Sequence, residues 1–195
     1  MSDEGKKEHE LFEQRLSSAQ KWRELGANPF GNGFRPEHLA AEVLAQHADP
    51  VIDDAQSRLD KANKSKDQPA LVAAKAVLDP LVAAANEKLA AAAASFSIAG
   101  RIVALNSFGK AAFIRVQDRS GALQVHMKKD ALGDRYEIFK QCDLGDFIGL
   151  HGTVFRSKTG ELTLSATRFE PLTKTLRPLP GKFGTSEEAK KWLES

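Results

Sequence analysis

An aromatic side chain lies on the polar face of a predicted strand in the stretch SFGKAAFIRVQDRSGALQVHM, residues 107–127. Successive side chains of an extended chain point to opposite faces. Phe113 therefore shares a face with Arg115, while its two apolar neighbours point the other way. Beyond the turn, Gln124 and His126 continue the polar face. Exposed aromatic rings stack on nucleobases and contribute about 1–3 kcal/mol per base, so this pattern predicts a surface that binds unpaired bases.

Three basic residues lie near this predicted surface, where they could contact phosphate. Arg101 falls in the strand before the stretch, Lys110 in the first hairpin and Lys158 in a later loop. Lysine and arginine position a nucleic acid through its phosphates without reading its sequence. Charged residues at strand edges also serve solubility, and we favour a nucleic-acid role for Arg101 over Lys110.

The sequence shows no pairing of a nucleophile with a base and no set of metal ligands. The single cysteine, Cys142, excludes an internal disulfide and suits a reducing compartment. The five histidines show no ligand-like spacing with one another or with Cys142. We therefore predict no catalytic residue, no metal and no cofactor in this chain.

Charge is distributed unevenly along the 195 residues, whose formal net charge is +2. Residues 96–182 carry +6, whereas residues 1–95 carry −3. A basic segment beside a mildly acidic one favours a polyanionic partner for the basic part. The start MSDEGKKEHE contains no apolar core of a signal sequence, and no run approaches the ~20 apolar residues of a membrane span. We expect a cytoplasmic protein without a membrane partner.

Two helical segments are predicted ahead of the strands. Residues 1–48 form an N-terminal extension, with one helix over Leu11–Leu25 and a second from Pro36 to near His47. Residues 49–95 are rich in alanine and poor in large apolar groups. Within them, Asp79-Pro80 predicts the cap and first residue of a new helix. We interpret residues 49–95 as a helical spacer or insertion without a binding site.

At Phe96 the helical period gives way to alternation. The pattern predicts five strands, over about 97–105, 111–117, 122–128, 146–156 and 161–170, with a helix over Asp134–Gln141. Five strands with a helix between the third and fourth is the order of an OB-fold, a Greek-key barrel whose strand 2–3 face binds oligonucleotides. The predicted fold class is therefore an all-β OB-fold over residues 96–182, preceded by an α-helical extension and followed by a tail, 183–195.

Three strings carry a family resemblance: AGRIVALNSFGKAAFIRVQDRSGALQV, DLGDFIGLHGTVFRSKTGELTL and LTKTLRPLP. In order and spacing they resemble the anticodon-binding OB domain of bacterial class II lysyl-tRNA synthetases. Upstream, ELGANPFGNGFRP is similar to the N-terminal extension of that family, relative to which residues 49–94 look like an insertion. The resemblance implies that the chain binds the anticodon stem-loop of a tRNA.

The resemblance also implies roles for individual residues. Phe113 corresponds to the aromatic that stacks on the middle anticodon base, and Gln124 to a glutamine whose amide reads a base edge. Glu161 corresponds to an acid that accepts a hydrogen bond from an anticodon base. The chain departs from the family at Asn106, where many lysyl enzymes have an arginine. We expect one polar contact to be lost there.

In that family a catalytic domain follows the RPLP motif, whereas this sequence reads GKFGTSEEAKKWLES after it. We therefore expect the 195 residues alone to form no aminoacyl-adenylate, and a synthetase catalytic domain or a second copy of the chain could be a partner. Two alternatives stay open: a protein-interaction module that docks through its N-terminal helices, and a domain for other single-stranded nucleic acids. We interpret His126 as a neutral surface histidine.

Overall fold

The computed structural model describes residues 3–177. The end of the LTKTLRPLP string and the predicted tail, 183–195, lie outside these residues. The described elements, in chain order, are α1 (Asp3–Glu24), α2 (Ala40–Gln46), α3 (Pro50–Ser65), α4 (Gln68–Ala92), β1 (Ser95–Phe108), β2 (Ala111–Gln117), β3 (Ala122–Lys128), α5 (Lys129–Leu132), α6 (Arg135–Phe139), β4 (Phe147–Arg156) and β5 (Leu162–Thr173).

The five strands close into a barrel in the order β1-β2-β3-β5-β4. All neighbouring pairs are antiparallel except β3 and β5, which run parallel and complete the closure. This arrangement and the preceding helices confirm the predicted OB-fold. The single helix expected between the third and fourth strands is instead two short helices, because Gly133, with φ of +54°, ends α5 before α6 begins.

The core of the barrel follows from the alternation along β2 and β3. Their inward residues are at most 2% exposed: Ala112, Ile114, Val116, Leu123, Val125 and Met127. The intervening residues of both strands are partly or fully exposed. The two strands pair with Phe113 directly opposite His126, so the face that carries Phe113 is the outer surface of the barrel.

Helix α1 is held to the barrel by buried cations. Arg15 donates to the backbone carbonyls of Leu144 and Thr175, at 3.1 and 3.0 Å. Lys174, just beyond β5, is buried and donates to Asp146 Oδ2 at 2.7 Å, with its Nζ 5.1 Å from the ring centroid of Trp22 in α1. A buried lysine needs such a charged partner, and these contacts join α1 to the end of β5.

Helix α2 begins four residues later than the sequence indicated. The first backbone donors of the helix bond to the loop between β2 and β3: Ala40 N–H donates to Asp118 Oδ2 at 2.7 Å, and Ala41 N–H to Ser120 Oγ at 3.0 Å. These two bonds come from residues about 80 positions away in sequence, while Glu42 supplies a local one by accepting from Leu39 N–H at 2.8 Å.

Helices α3 and α4 form a hairpin with its own small core. Ile52 and Leu59 of α3 pack with Leu78 and Val82 of α4. The prediction that a helix begins at Pro80 is wrong, because α4 runs through Pro80 without a break. The helix begins instead after Asp67, whose carboxylate accepts from Ala70 N–H at 3.1 Å. Packing against α3 on both sides of Pro80 keeps α4 continuous.

Among the described helices, α4 is long and apolar enough, by length and composition alone, to cross a membrane. By this criterion the expectation that no such run exists does not hold. Alanine is its commonest residue, and the helix packs on α3 through Ala74, Leu78 and Val82.

Candidate nucleic-acid interface

One row of side chains crosses all five strands on the outer surface of the barrel. The strand registers place directly opposite one another, from β1 to β4, the residues Asn106, Phe113, His126, Ser165 and Thr153. Directly opposed residues on paired strands share a face. We call these five residues the stacking row, because it contains the aromatic pair.

Phe113 and His126 are stacked on each other within this row. Their ring centroids are 4.4 Å apart and their planes differ by 6°. His126 therefore covers one face of the Phe113 ring, and the other face points away from it, toward β1 and Asn106. The His126 ring leaves this second face uncovered.

His126 is more than the incidental surface histidine that the sequence suggested. The side chain is half-buried, and its Nδ1 has no hydrogen-bond partner within the described residues. Burial, and secondly the charge of Lys128, lowers the pKa of His126. The imidazole is thus neutral near pH 7 and supports Phe113 as an aromatic ring rather than as a cation. Counting residues across the β2–β3 turn would have placed the two rings opposite each other.

Gln124 lies two residues before His126 on β3 and shares its outer face. A hydrogen bond to Thr163 holds the Gln124 amide in place. Its Nε2 donates to Thr163 Oγ1 at 2.8 Å, and the Thr163 hydroxyl donates to the backbone carbonyl of Glu161 at 3.0 Å. A primary amide has two donors and one acceptor oxygen, so this bond leaves groups with which Gln124 can contact a base edge.

Glu161 forms an ion pair that the sequence did not reveal. Arg115 Nη2 donates to Glu161 Oε1, and both side chains are partly exposed. Arg115 is directly opposite Gln124 in the β2–β3 register, so the structure brings together Arg115, Gln124 and Glu161. The second carboxylate oxygen can still accept from a ligand, while Arg115 adds a planar donor fork to the surface.

Arg101 is on the same outer face but not beside Phe113. Its guanidinium carbon is 4.7 Å from the ring centroid of Phe147, and it pairs in register with Gln117, four residues along β2 from Phe113. At about 3.4 Å per residue that separation is roughly 14 Å. Arg101 can therefore contact the backbone of a bound strand at a distance from the stacked base.

The two remaining predicted residues lie at loops. Lys110 is exposed in the β1–β2 turn, next to Phe108, which is 67% exposed. Lys158 is exposed in the β4–β5 loop, near Glu161. In OB-folds these two loops flank the ligand-binding face, so both lysines are at its border.

The β4–β5 loop is anchored by the helical hairpin that the sequence suggested to be a spacer. The Arg156 guanidinium donates to Asp53 Oδ1 of α3 at 3.3 Å, as well as to the carbonyl oxygens of His47, at the end of α2, and of Gly160, in the loop, at 2.6 and 3.0 Å. The Asn86 side chain of α4 pairs with both the N–H and the carbonyl of Arg156, at 2.7 and 3.0 Å. Gly160, at φ of +87°, lies against Leu78 of the hairpin.

Within residues 3–177, no group of three or more His, Cys, Asp or Glu side chains could hold a metal ion. Burial raises the pKa of the Cys142 thiol well above its ordinary value, so the described part of the chain places this cysteine in the core as a neutral thiol.

Comparison with known proteins relates the barrel and the helices before it to known families. Residues 96–172 match the tRNA anti-codon family model, which is described as an OB-fold nucleic acid binding domain. Lysine–tRNA ligase of Anaeromyxobacter dehalogenans (strain 2CP-C) is 45% identical over 185 residues, covering 94% of this chain and 29% of the relative. The Bacillus subtilis (strain 168) enzyme of the same name is 35% identical over 187 residues, covering 94% and 31%.

The chain thus spans less than a third of the length of these relatives. The family match covers the closed barrel, and the similarity to the ligases extends through nearly all of the chain. Residues 96–172 therefore belong to the family of OB-fold anticodon-binding domains, and the chain is homologous to part of the lysine–tRNA ligases.

Proposed function

We propose that this chain binds the anticodon loop of a lysine-type tRNA on the outer face of its barrel. The observation that carries the proposal is the aromatic pair of the stacking row, in which Phe113 has one ring face against His126 and the other available. Proteins recognise RNA sequence chiefly by stacking and hydrogen-bonding unpaired bases in loops. An anticodon loop presents such bases.

Base readout falls to Gln124 and Glu161 in this proposal. Both side chains are held before any ligand arrives, Gln124 by Thr163 and Glu161 by Arg115. A group already fixed in its bound conformation loses less side-chain entropy on binding. The amide offers a donor and an acceptor to a base edge, and the carboxylate offers an acceptor.

The phosphates of the loop contact the basic residues at the border of the face. Lys110 and Lys158 lie at the two flanking loops, and Arg101 lies farther along β1. These residues add affinity that does not depend on base sequence.

The relatives are named lysine–tRNA ligases, and the chain matches only part of each. We propose that this chain supplies tRNA recognition to a catalytic domain of that class, in the cytoplasm, and that the described residues do not themselves activate an amino acid.

Titration of the 195-residue chain with two labelled RNA hairpins tests the proposed function. One hairpin has a seven-nucleotide lysine anticodon loop, and the other has the same stem extended by base pairs to a short closing loop. We expect the open loop to bind more tightly and its affinity to fall with salt, by roughly 0.7 in the log–log slope per neutralised phosphate. Equal affinity for the two hairpins, or no binding at low salt, would contradict the proposal.

A further inference from the structure

A groove separates the C-terminal half of α4 from the outer face of the barrel. Its volume is about 420 Å³, which is in the range of pockets that bind small ligands. Its wall includes Leu89, Ala90 and Ala93 of α4, and its floor includes Thr153, Phe155 and Ser165. His126 and Lys128 also line it.

The floor of the groove includes Ser165 and Thr153, the last two residues of the stacking row. Ser165 is directly opposite His126, and Thr153 is directly opposite Ser165. Neighbouring strands are about 4.8 Å apart, so the floor begins roughly 10 Å from Phe113. The floor lies on the His126 side of Phe113, whereas the available ring face points toward β1. An RNA loop with one base on Phe113 therefore passes over the Phe113–His126 stack to place another of its unpaired nucleotides over this floor.

The lining suits a nucleobase. Leu89 and Ala90 present apolar side chains to a flat ring, and the Phe155 ring lies on the opposite side, 5.9 Å from that of His126. The hydroxyls of Thr153 and Ser165 can each donate and accept a hydrogen bond at a base edge. Lys128 is exposed at the rim, where a phosphate can contact it.

We propose that this groove is a second base-binding site, which takes another unpaired base of the loop whose first base stacks on Phe113, with a phosphate of the same strand at Lys128. The inference rests on the proposed function and gives α4 a direct role in RNA binding. The helical hairpin then has two tasks, because Asn86 anchors the β4–β5 loop while the next turns of α4 form the wall of the groove.

Filling the groove tests this site. Ala90→Trp places a large ring in it, whereas Ala84→Trp places the same ring on α4 at an exposed position outside the groove lining. With the open-loop hairpin as the probe, we expect Ala90→Trp to weaken binding by about fivefold or more, the effect of losing one stacked base. Ala84→Trp should bind as the unmodified chain does.

An RNA change locates the contact. Single abasic nucleotides placed in turn through the loop should include one, other than the base stacked on Phe113, that weakens binding to the unmodified chain. That change should have little further effect on Ala90→Trp, because both changes remove the same contact. Lys128→Gln, at an exposed residue, should lower the log–log salt slope by roughly 0.7. This second variant keeps the test decisive if Ala90→Trp does not fold.

The outcomes separate this inference from the proposed function. If Phe113→Ala weakens binding but Ala90→Trp and Lys128→Gln do not, the groove site is wrong and the anticodon-binding function stands. If no variant changes the affinity, or the hairpin does not bind at all, both are wrong. A protein that competes with the hairpin for the unmodified chain but not for Ala90→Trp would assign the groove to protein contact and overturn the inference.

Discussion

At the scale of single residues, the interface depends on what surrounds each side chain. Phe113 has the environment of a stacking platform because His126, neutral and half-buried, covers one of its faces. Glu161 already has a partner without a ligand, because Arg115 forms an ion pair with it. Each of these partners comes from another strand or loop, so the residue type by itself does not define the site.

Asn106 is the residue of the stacking row nearest the available face of Phe113, and it is exposed. Asn106→Arg would add a fixed charge and a planar fork there. We expect tighter hairpin binding, by about 1.5–3 kcal/mol if a charged hydrogen bond forms, and a steeper salt dependence in the titration. A lower melting temperature with unchanged affinity would instead show that Asn106 serves the β1–β2 connection.

The lowered pKa of His126 predicts how stability depends on pH. Burial lowers it, with Lys128 second, and burial and then Arg156 lower the pKa of His47. The unfolded chain therefore binds more protons than the folded one as pH falls through about 6.5, the unfolded value, toward the lower folded values. We expect the melting temperature to fall between about pH 7.5 and about pH 5.5.

His126→Asn tests the origin of that dependence. The variant removes one of the two titrating groups, so its melting temperature should change less with pH than that of the unmodified chain. Parallel curves for the two proteins would show that His126 does not contribute.

At the scale of elements, the helices are bound to the barrel through buried cations at two places. Lys174 joins the end of β5 to Asp146 and to Trp22 of α1, and Arg156 joins β4 to Asp53 of the α3–α4 hairpin. The helical extension is therefore part of the folded unit in the described residues. The β4–β5 loop owes its position to the hairpin.

Lys174→Met should destabilise the chain strongly, because it leaves the carboxylates of Asp146 and Asp143 without their cation. Removing one partner of a buried ion pair costs about 3–5 kcal/mol, which urea unfolding would detect. Lys158→Met, at an exposed loop position, is the matched control and should change stability by about 0.5 kcal/mol or less. Similar effects of the two substitutions would contradict the assigned role of Lys174.

The strands could be predicted from sequence because alternation is a local property, and β2 and β3 needed no other information. The helix boundaries were harder. Asp67, followed two residues later by Pro69, carries the same kind of cap pattern as Asp79-Pro80, and only packing against α3 decides between them. The cap of α2 by Asp118 depends on a distant loop and left no local pattern.

At the scale of the whole molecule, the structure brings together residues that are far apart in sequence. Phe113, Gln124 and Glu161 lie on one outer face, as the resemblance implied. The Arg115 ion pair and the α4 groove were missed because each joins segments far apart in sequence. Arg101, expected to contact phosphate, lies roughly 14 Å along the strand from Phe113.

The central claim is that Phe113 receives an unpaired base of the anticodon loop. Phe113→Ala should weaken binding of the open-loop hairpin by about 1–3 kcal/mol, with a small loss of stability from the lost contact with His126. Phe30→Ala is the control, since Phe30 is also exposed but pairs with Thr173 at the far end of β5.

Fluorescence titration of the unmodified chain and both variants under one salt condition is the most direct measurement. We expect weaker binding for Phe113→Ala alone. Equal affinity of all three proteins, with the folds intact, would contradict it.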